Sequence, residues 1–174
     1  MSLRLGLLTI LTLGDAYGYQ LRQEFDARSG TSTPTNVGQV YSTLDRLERD
    51  ELVSKGSADE AGHVHYSLTE SGRAAARDWL ESAADPELRI TLAASLPRVD
   101  VVAIIDRQLE NVRAHRGAAN SSESFARSLR TAALQAQLEA QENWLIQTRN
   151  RVGAADHAVG LEQLPGRGRP TRTA

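Results

Sequence analysis

The chain has 174 residues, room for one or two small domains and none for a large multidomain enzyme. Hydrophobic residues make up 40% of it, enough for a packed core, and the absence of cysteine excludes disulfide scaffolds, thiolate-bound zinc, iron–sulfur clusters and thiol nucleophiles. The 20 basic and 22 acidic side chains leave a net charge of -2, which gives no sign of a basic nucleic-acid binder.

Residues 3–13 (LRLGLLTILTL) are apolar. The run is far shorter than the about 20 residues of a membrane span, and no small-residue cleavage site follows it. It predicts a buried helix in a cytoplasmic protein without membrane contact. Gly14 and Asp15 end it. A second helix is predicted over about 17–28, with Leu21 and Phe25 one turn apart. The polar loop SGTSTPT leads to Asn36, a good N-cap with Gln39 three residues on. A third helix, about 37–50, places Val37, Val40, Tyr41, Leu44 and Leu47 on one apolar stripe. Its other face carries Gly38, Gln39, Ser42, Thr43, Asp45, Arg46 and Arg49. The period then changes to two: a short strand at Leu52–Ser54, a turn-rich GSADEAG, and His63–Leu68 alternating with Val64, Tyr66 and Leu68 on one face. These make a hairpin, and Thr69 caps a fourth helix over about 70–83. Three helices followed by a hairpin describe a winged helix-turn-helix. In that arrangement the third helix enters the major groove and the hairpin, the wing, lies over the backbone or minor groove.

Beyond this, Pro86 opens a helix over about 87–95, Leu96-Pro97 breaks it, and 99–116 resumes with Val101, Ile105, Leu109 and Val112 on one stripe. Asn120-Ser121-Ser122 is read as the cap of a long helix, about 121–152. It carries two apolar stripes, one through Phe125, Leu129, Ala136 and Trp144, the other through Leu134, Leu138, Leu145 and Val152. One neighbour cannot cover both. A helix from a second subunit is the simplest remedy, which assigns Val101, Ile105, Leu109, Phe125, Leu129, Leu138, Trp144 and Leu145 to dimerisation. The alternative is a monomeric helical hairpin folded back on residues 1–80. The fold class is therefore mainly α: a winged helix-turn-helix domain over 1–83, a helical dimerisation region over 84–152, and a Gly/Pro-containing tail over 153–174 that reads as disordered.

The stretches LTILTLGDAYGYQLRQEF, NVGQVYSTLDRLERDELV and HYSLTESGRAAARDWL together resemble the PadR family of bacterial transcriptional regulators. The resemblance is carried by Gly18-Tyr19-x-Leu21, by Val40-Tyr41 with Leu44 and Leu47-Glu48, and by Tyr66-x-Leu68-Thr69-x-x-Gly72. It covers about residues 3–82. Residues 87–152 resemble the longer C-terminal helical region of many actinobacterial members. The resemblance implies a homodimer that binds inverted-repeat operators in double-stranded DNA, usually as a repressor, and that in several members is released by a small molecule.

On the reading helix, Gly38 allows close backbone approach and Gln39 can pair with adenine. Ser42 and Thr43 can touch bases or phosphates, and Arg46 can reach guanine or a phosphate. Tyr41 has two readings: a packed ring with its hydroxyl on a phosphate, or a core residue. Tyr19 has the same two. The wing departs from the family, because its tip carries Asp59 and Glu60 where members usually have basic residues. His63 and His65 share a strand face and could donate to phosphates, more strongly when protonated. That predicts weak wing contact and tighter binding at lower pH. As metal ligands they would need partners, for which only Asp59, Glu60 and His115 are conceivable; no metal or cofactor is expected. There is no HExxH, no GxSxG and no phosphate-cradling glycine loop, so no enzyme is expected. Trp79 and Trp144 are either stacking walls for a small aromatic effector or ordinary packing. Arg167-Gly168-Arg169-Pro170 is either similar to an AT-hook core or a plain soluble tail. The rival readings are a winged-helix regulator of another family, such as a MarR-like one, and a protein-binding winged-helix adaptor. Residues 1–80 hold 8 basic against 11 acidic side chains, so the DNA footprint narrows to Arg22, Arg46 and Arg49, with the wing histidines and the tail as further candidates.

Overall fold

The computed structural model describes residues 3–60, 62–117, 124–153 and 158–161. The chain divides into two units, one formed by Met1–Pro97 together with Val159–Ala174, the other by Arg98–Ala158.

The first unit runs α1 (Leu3–Leu11), β1 (Ala16–Tyr17), α2 (Gly18–Ser29), α3 (Val37–Arg49), β2 (Val53–Ala58), β3 (Val64–Leu68), α4 (Glu70–Glu81) and α5 (Pro86–Ala94). This is the winged-helix order with one addition. Ala16 and Tyr17 pair antiparallel with Tyr66 and His65, which makes a three-stranded sheet in the order β1-β3-β2. Two residues are too few to display a period of two, so β1 leaves no trace in the sequence pattern. Strand β2 continues to Ala58, past the predicted end at Ser54, because Ser54–Ala58 are all exposed and show no alternation. Its ladder is irregular between Lys55 and Ala58.

The core gathers Leu7, Leu8, Ile10 and Leu11 of α1, Leu21 and Phe25 of α2, and Val40, Leu44 and Leu47 of α3. Tyr66 and Leu68 of β3, Trp79 of α4 and Leu88 and Leu92 of α5 complete it. Helix α1 packs on α2, α3, α4, α5 and β3, which is why its sequence is apolar on every side. Helix α5 packs on α1, α2 and α4. It lies with the winged-helix unit, beyond the boundary read at residue 83, because the break at 82–85 is a tight turn between packed helices. Leu161 also packs against this core, so residues 158–161 of the segment read as a disordered tail have a defined place. Thr69 caps α4, its hydroxyl accepting from the Gly72 amide at 3.0 Å. A Cβ on Gly72 would run into the backbone carbonyl of Leu52, so α4 meets the turn after α3 through bare backbone.

The second unit is an antiparallel hairpin of α6 (Val101–Gly117) and α7 (Phe125–Val152). Glu142 accepts from Arg113 at 2.7 Å and from Arg116 at 2.6 Å, and Arg149 donates to both Asp106 oxygens at 2.6 and 3.1 Å. These pairs set the register. The end of α6 comes opposite about residue 138 of α7, so the earlier turns of α7 have no α6 residue facing them. The cap of α7 is Ser124, which accepts from the Arg127 amide at 3.3 Å; the cap read at Asn120–Ser122 lies outside the described residues. Among the described residues no helix is long and apolar enough to cross a membrane.

Candidate nucleic-acid interface

Helix α3 begins with the predicted cap, the Asn36 side chain accepting from the Gln39 amide at 3.3 Å. Val40, Leu44 and Leu47 turn into the core, but Val37 and Tyr41 are 43% and 41% exposed, so the apolar stripe is narrower than predicted. Gly38, Gln39, Ser42, Asp45, Arg46 and Arg49 are all exposed. Gln39, Ser42 and Arg46 follow one another at three- and four-residue spacing and line one outward face. Thr43 does not belong with them. It neighbours Leu44 on the inner side, is 9% exposed, and its hydroxyl donates to the Gln39 carbonyl at 2.7 Å. The Ser42 hydroxyl makes a similar bond at 3.1 Å while staying exposed.

The Tyr41 ring lies across the start of α2. A Cβ on Gly18 would stand 2.6 Å from its Cε1, so glycine at position 18 makes the seat for this ring. Tyr41 is thus packed on α2 backbone, outside the core. Tyr19 is 39% exposed and carries the Arg22 guanidinium over its ring, 5.1 Å from the centroid. Arg22 also donates to Asp26 at 3.2 Å. The other Asp26 oxygen accepts from the Thr35 amide at 3.0 Å and from the Thr35 hydroxyl at 2.6 Å. The series Tyr19, Arg22, Asp26, Thr35 therefore ties α2 to the residue just before the α3 cap. Asp26 and Thr35 were not among the predicted site residues. Their only sequence signal is the four-residue spacing of Arg22 and Asp26 and a threonine ahead of the cap. Arg22 is occupied inside the chain, whereas Arg46 and Arg49 enter no ion pair among the described residues.

The wing histidines share a face, and that face is occupied. His63 stacks on Tyr17 of β1, with ring centroids 4.4 Å apart and 15° between planes, and His65 meets the same ring edge-on at 5.7 Å. The Asp59 carboxylate stands 3.4 Å from His63 Nδ1 and 3.9 Å from His65 Nδ1. It also accepts from the His63 amide at 2.8 Å, which closes the wing turn. Both rings are half-buried, so the pair reads first as a tie between wing, β1 and Asp59. Lys55, which the sequence reading passed over, is exposed on β2. Behind α3, burial and the nearby carboxylates of Asp45 and Glu48 hold the Tyr66 phenol above its ordinary range.

The remaining predicted positions divide. Trp79 is 4% exposed and packs in the first unit's core. Trp144 is half-buried in the second unit. Of the eight residues assigned to dimerisation, Val101, Ile105, Leu109 and Leu145 are already buried within the single chain. Phe125 and Leu129 are 79% and 57% exposed, and Leu134 and Ile146, on the same helix, are 47% and 37% exposed. Leu138 is half-buried. His115 is tied through Nδ1 to the Asn111 carbonyl at 2.7 Å, and no group of three or more metal-ligating side chains occurs among the described residues. Arg167–Pro170 lie outside the described residues.

Residues 7–78 match the Transcriptional regulator PadR-like family. The transcriptional regulator YqjI of Escherichia coli (strain K12) is 36% identical over 81 residues, which are 46% of this chain and 36% of that protein. The chain thus spans about a third of that curated relative. Among solved structures, Bacillus subtilis PadR in complex with operator DNA is similar over 86% of this chain and 98% of its own, at 19% identity and a TM-score of 0.41. RosR of H. salinarum is similar over 69% of this chain and 96% of its own, at 27% identity and a TM-score of 0.42.

Proposed function

We propose that this chain, whose winged-helix unit belongs to the PadR-like family of transcriptional regulators, is a homodimeric repressor that grips an inverted-repeat operator. The observation that carries the reading is α3: a capped helix with Val40, Leu44 and Leu47 buried and Gly38, Gln39, Ser42, Arg46 and Arg49 presented outward. Such a helix fits the major groove, where glutamine pairs with adenine and arginine with guanine or phosphate. Tyr41 and Tyr19 flank it at the start of α2. Their exposed edges suit phosphates on either side of the groove.

Dimerisation is supported by the first half of α7. Phe125, Leu129 and Leu134 are exposed apolar residues on turns that no α6 residue faces. A matching helix from a second copy would cover them by isologous packing. We place any release of repression by a small aromatic molecule around Trp144 in the helical unit, because Trp79 is used up in the core.

Footprinting of the purified protein across the promoter upstream of its own gene tests the reading. A protected inverted repeat is the expected result. Absence of protection, with no mobility shift at low salt, refutes it. The Gln39→Ala variant should lose discrimination at one base pair of each half-site, by about 1–3 kcal/mol.

A further inference from the structure

Tyr19, Arg22 and Asp26 follow one another at three- and four-residue spacing on one face of α2. Helix α2 packs on α3, and the two are tied at two points. At the start of α2, Gly18 seats the Tyr41 ring; further along, Asp26 holds Thr35, the residue before the α3 cap. Arg22 lies between these two ties.

The Asp26 carboxylate does two unequal jobs. Its Oδ1 accepts from the Thr35 amide at 3.0 Å and from the Thr35 hydroxyl at 2.6 Å. Its Oδ2 accepts from Arg22 Nη1 at 3.2 Å, which is long beside the about 2.7–2.9 Å of most charge-assisted bonds. The Arg22 side chain is 17% exposed, yet its Nε is buried with no hydrogen-bond partner among the described residues. Arg28, one and a half turns on, shows what an arginine in a structural role looks like: its guanidinium donates to Glu24, to the Ser95 carbonyl and hydroxyl, and to the carbonyls of Val159 and Gly160, none longer than 3.1 Å. Arg22 has one long bond and the face of Tyr19. It is held by charge more than by fit.

In a helix-turn-helix the helix before the reading helix crosses the phosphate backbone. An arginine on the α2 face beside α3 therefore stands where phosphates pass. We propose that Asp26 is a charge lock: it withholds Arg22 from the DNA backbone and so keeps sequence-independent affinity low, while its other oxygen fixes the entry to the reading helix. The proposal rests on the DNA-binding reading of α3 above. Because Thr35 already fixes the carboxylate, Arg22 meets a preorganised partner that a passing phosphate must displace. Asp26 acts through Arg22 and Thr35 and is a positioning residue.

The test titrates the full chain, Asp26→Asn, Arg22→Gln and the double variant with a labelled random-sequence duplex between 50 and 200 mM salt. Asparagine keeps an oxygen for Thr35 and removes the charge that holds Arg22. Asp26→Asn should steepen the slope of log affinity against log salt by about 0.9 per copy, or about 1.8 for a dimer. Its gain over the full chain is then about twelvefold larger at 50 mM than at 200 mM. Arg22→Gln alone should leave the slope of the full chain unchanged, because that arginine is withheld. The double variant, which has the net charge of the full chain, should return to the same slope. A slope that does not steepen in Asp26→Asn overturns the proposal. So does a steepening that persists in the double variant, since loss of the carboxylate would then be the whole effect. Flattening by about 1.8 in Arg22→Gln also overturns it, because Arg22 would already be on the phosphates. Should Asp26→Asn fail to fold by circular dichroism, Arg22→Gln still decides between a withheld and an engaged arginine. A full chain that binds no duplex at 50 mM overturns the DNA-binding reading itself, whereas binding with all slopes alike overturns only the lock.

Discussion

Raising the salt concentration should weaken operator binding less steeply than for most repressors, because few cations leave the reading unit. Arg22 is spent on Asp26 and on the Tyr19 ring, and the wing histidines face Asp59. Arg46 and Arg49 remain on α3, two per copy and four per dimer. Each phosphate neutralised contributes about -0.9 to the slope of log affinity against log salt, which gives about -3.6 and a loss of about 150-fold between 50 and 200 mM. Should Lys55 of each copy also reach the backbone, the slope becomes about -5 and the loss rises by roughly another factor of ten. Fluorescence anisotropy with a labelled operator duplex, titrated at five or six salt concentrations, measures the slope directly. Arg46→Ala adds a second reading. If Arg46 contacts phosphate, its removal from both copies flattens the slope by about 1.8, whereas loss of a guanine contact leaves the slope and costs about 1–3 kcal/mol at one base pair. A slope near -10 would refute the reasoning, since it requires many more cations on the DNA than α3 and β2 expose.

Gly72→Ala should cost about 1–3 kcal/mol in chemical denaturation, because the new Cβ meets the Leu52 carbonyl and α4 must move off the turn; an unchanged midpoint would show that the turn yields freely. Leu129→Asp combined with Leu134→Asp should convert the dimer to monomer in sedimentation while leaving the helical content of each chain intact, and a persistent dimer would place the interface elsewhere. Hydrogen bonds from Arg149 and Arg113 hold the Asp106 and Glu142 carboxyls below their ordinary range, so their contribution to the α6–α7 hairpin is present above about pH 4 and is lost as the pH falls through the lowered values. Asp106→Asn should accordingly weaken the acid dependence of unfolding, and an identical profile would remove that pair from the account.

What could be read in the sequence was local, and what could not depended on tertiary contact. The Asn36 and Thr69 caps, the start of α5 at Pro86 and the buried positions 40, 44 and 47 each follow from a few neighbouring residues. Tyr41 and Thr43 lie at the edges of the α3 stripe, where helical periodicity alone does not decide between inside and outside. A glycine seat on α2 leaves Tyr41 outside, and a backbone hydrogen bond turns Thr43 in. Strand β1 exists only because β3 is there to pair with it. Three of the hydrogen bonds made by the buried Arg28 go to the backbone carbonyls of Ser95, Val159 and Gly160, and these carry no side-chain signature at all. For the same reason a Gly- and Pro-containing segment that suggests disorder has a defined place at residues 158–161.

The acidic balance of the winged-helix unit is compatible with DNA binding because of where its charges are spent. Asp26 holds Thr35 and Arg22, Asp50 is paired with Arg4, Asp59 closes the wing turn, and Glu24 answers the buried Arg28. Four carboxylates of the unit are thereby turned inward or paired along its frame. The exposed side of α3 then presents Arg46 and Arg49 against Asp45 and Glu48, nearly neutral in sum. A face of that kind has little non-specific attraction for a polyanion. On the repressor reading, its affinity would come from base-edge contacts by Gln39, Ser42 and Arg46 and from the pairing of two copies on one operator. On the dimeric repressor reading, such a protein would gain specificity relative to affinity and would depend on two reading helices at the correct separation.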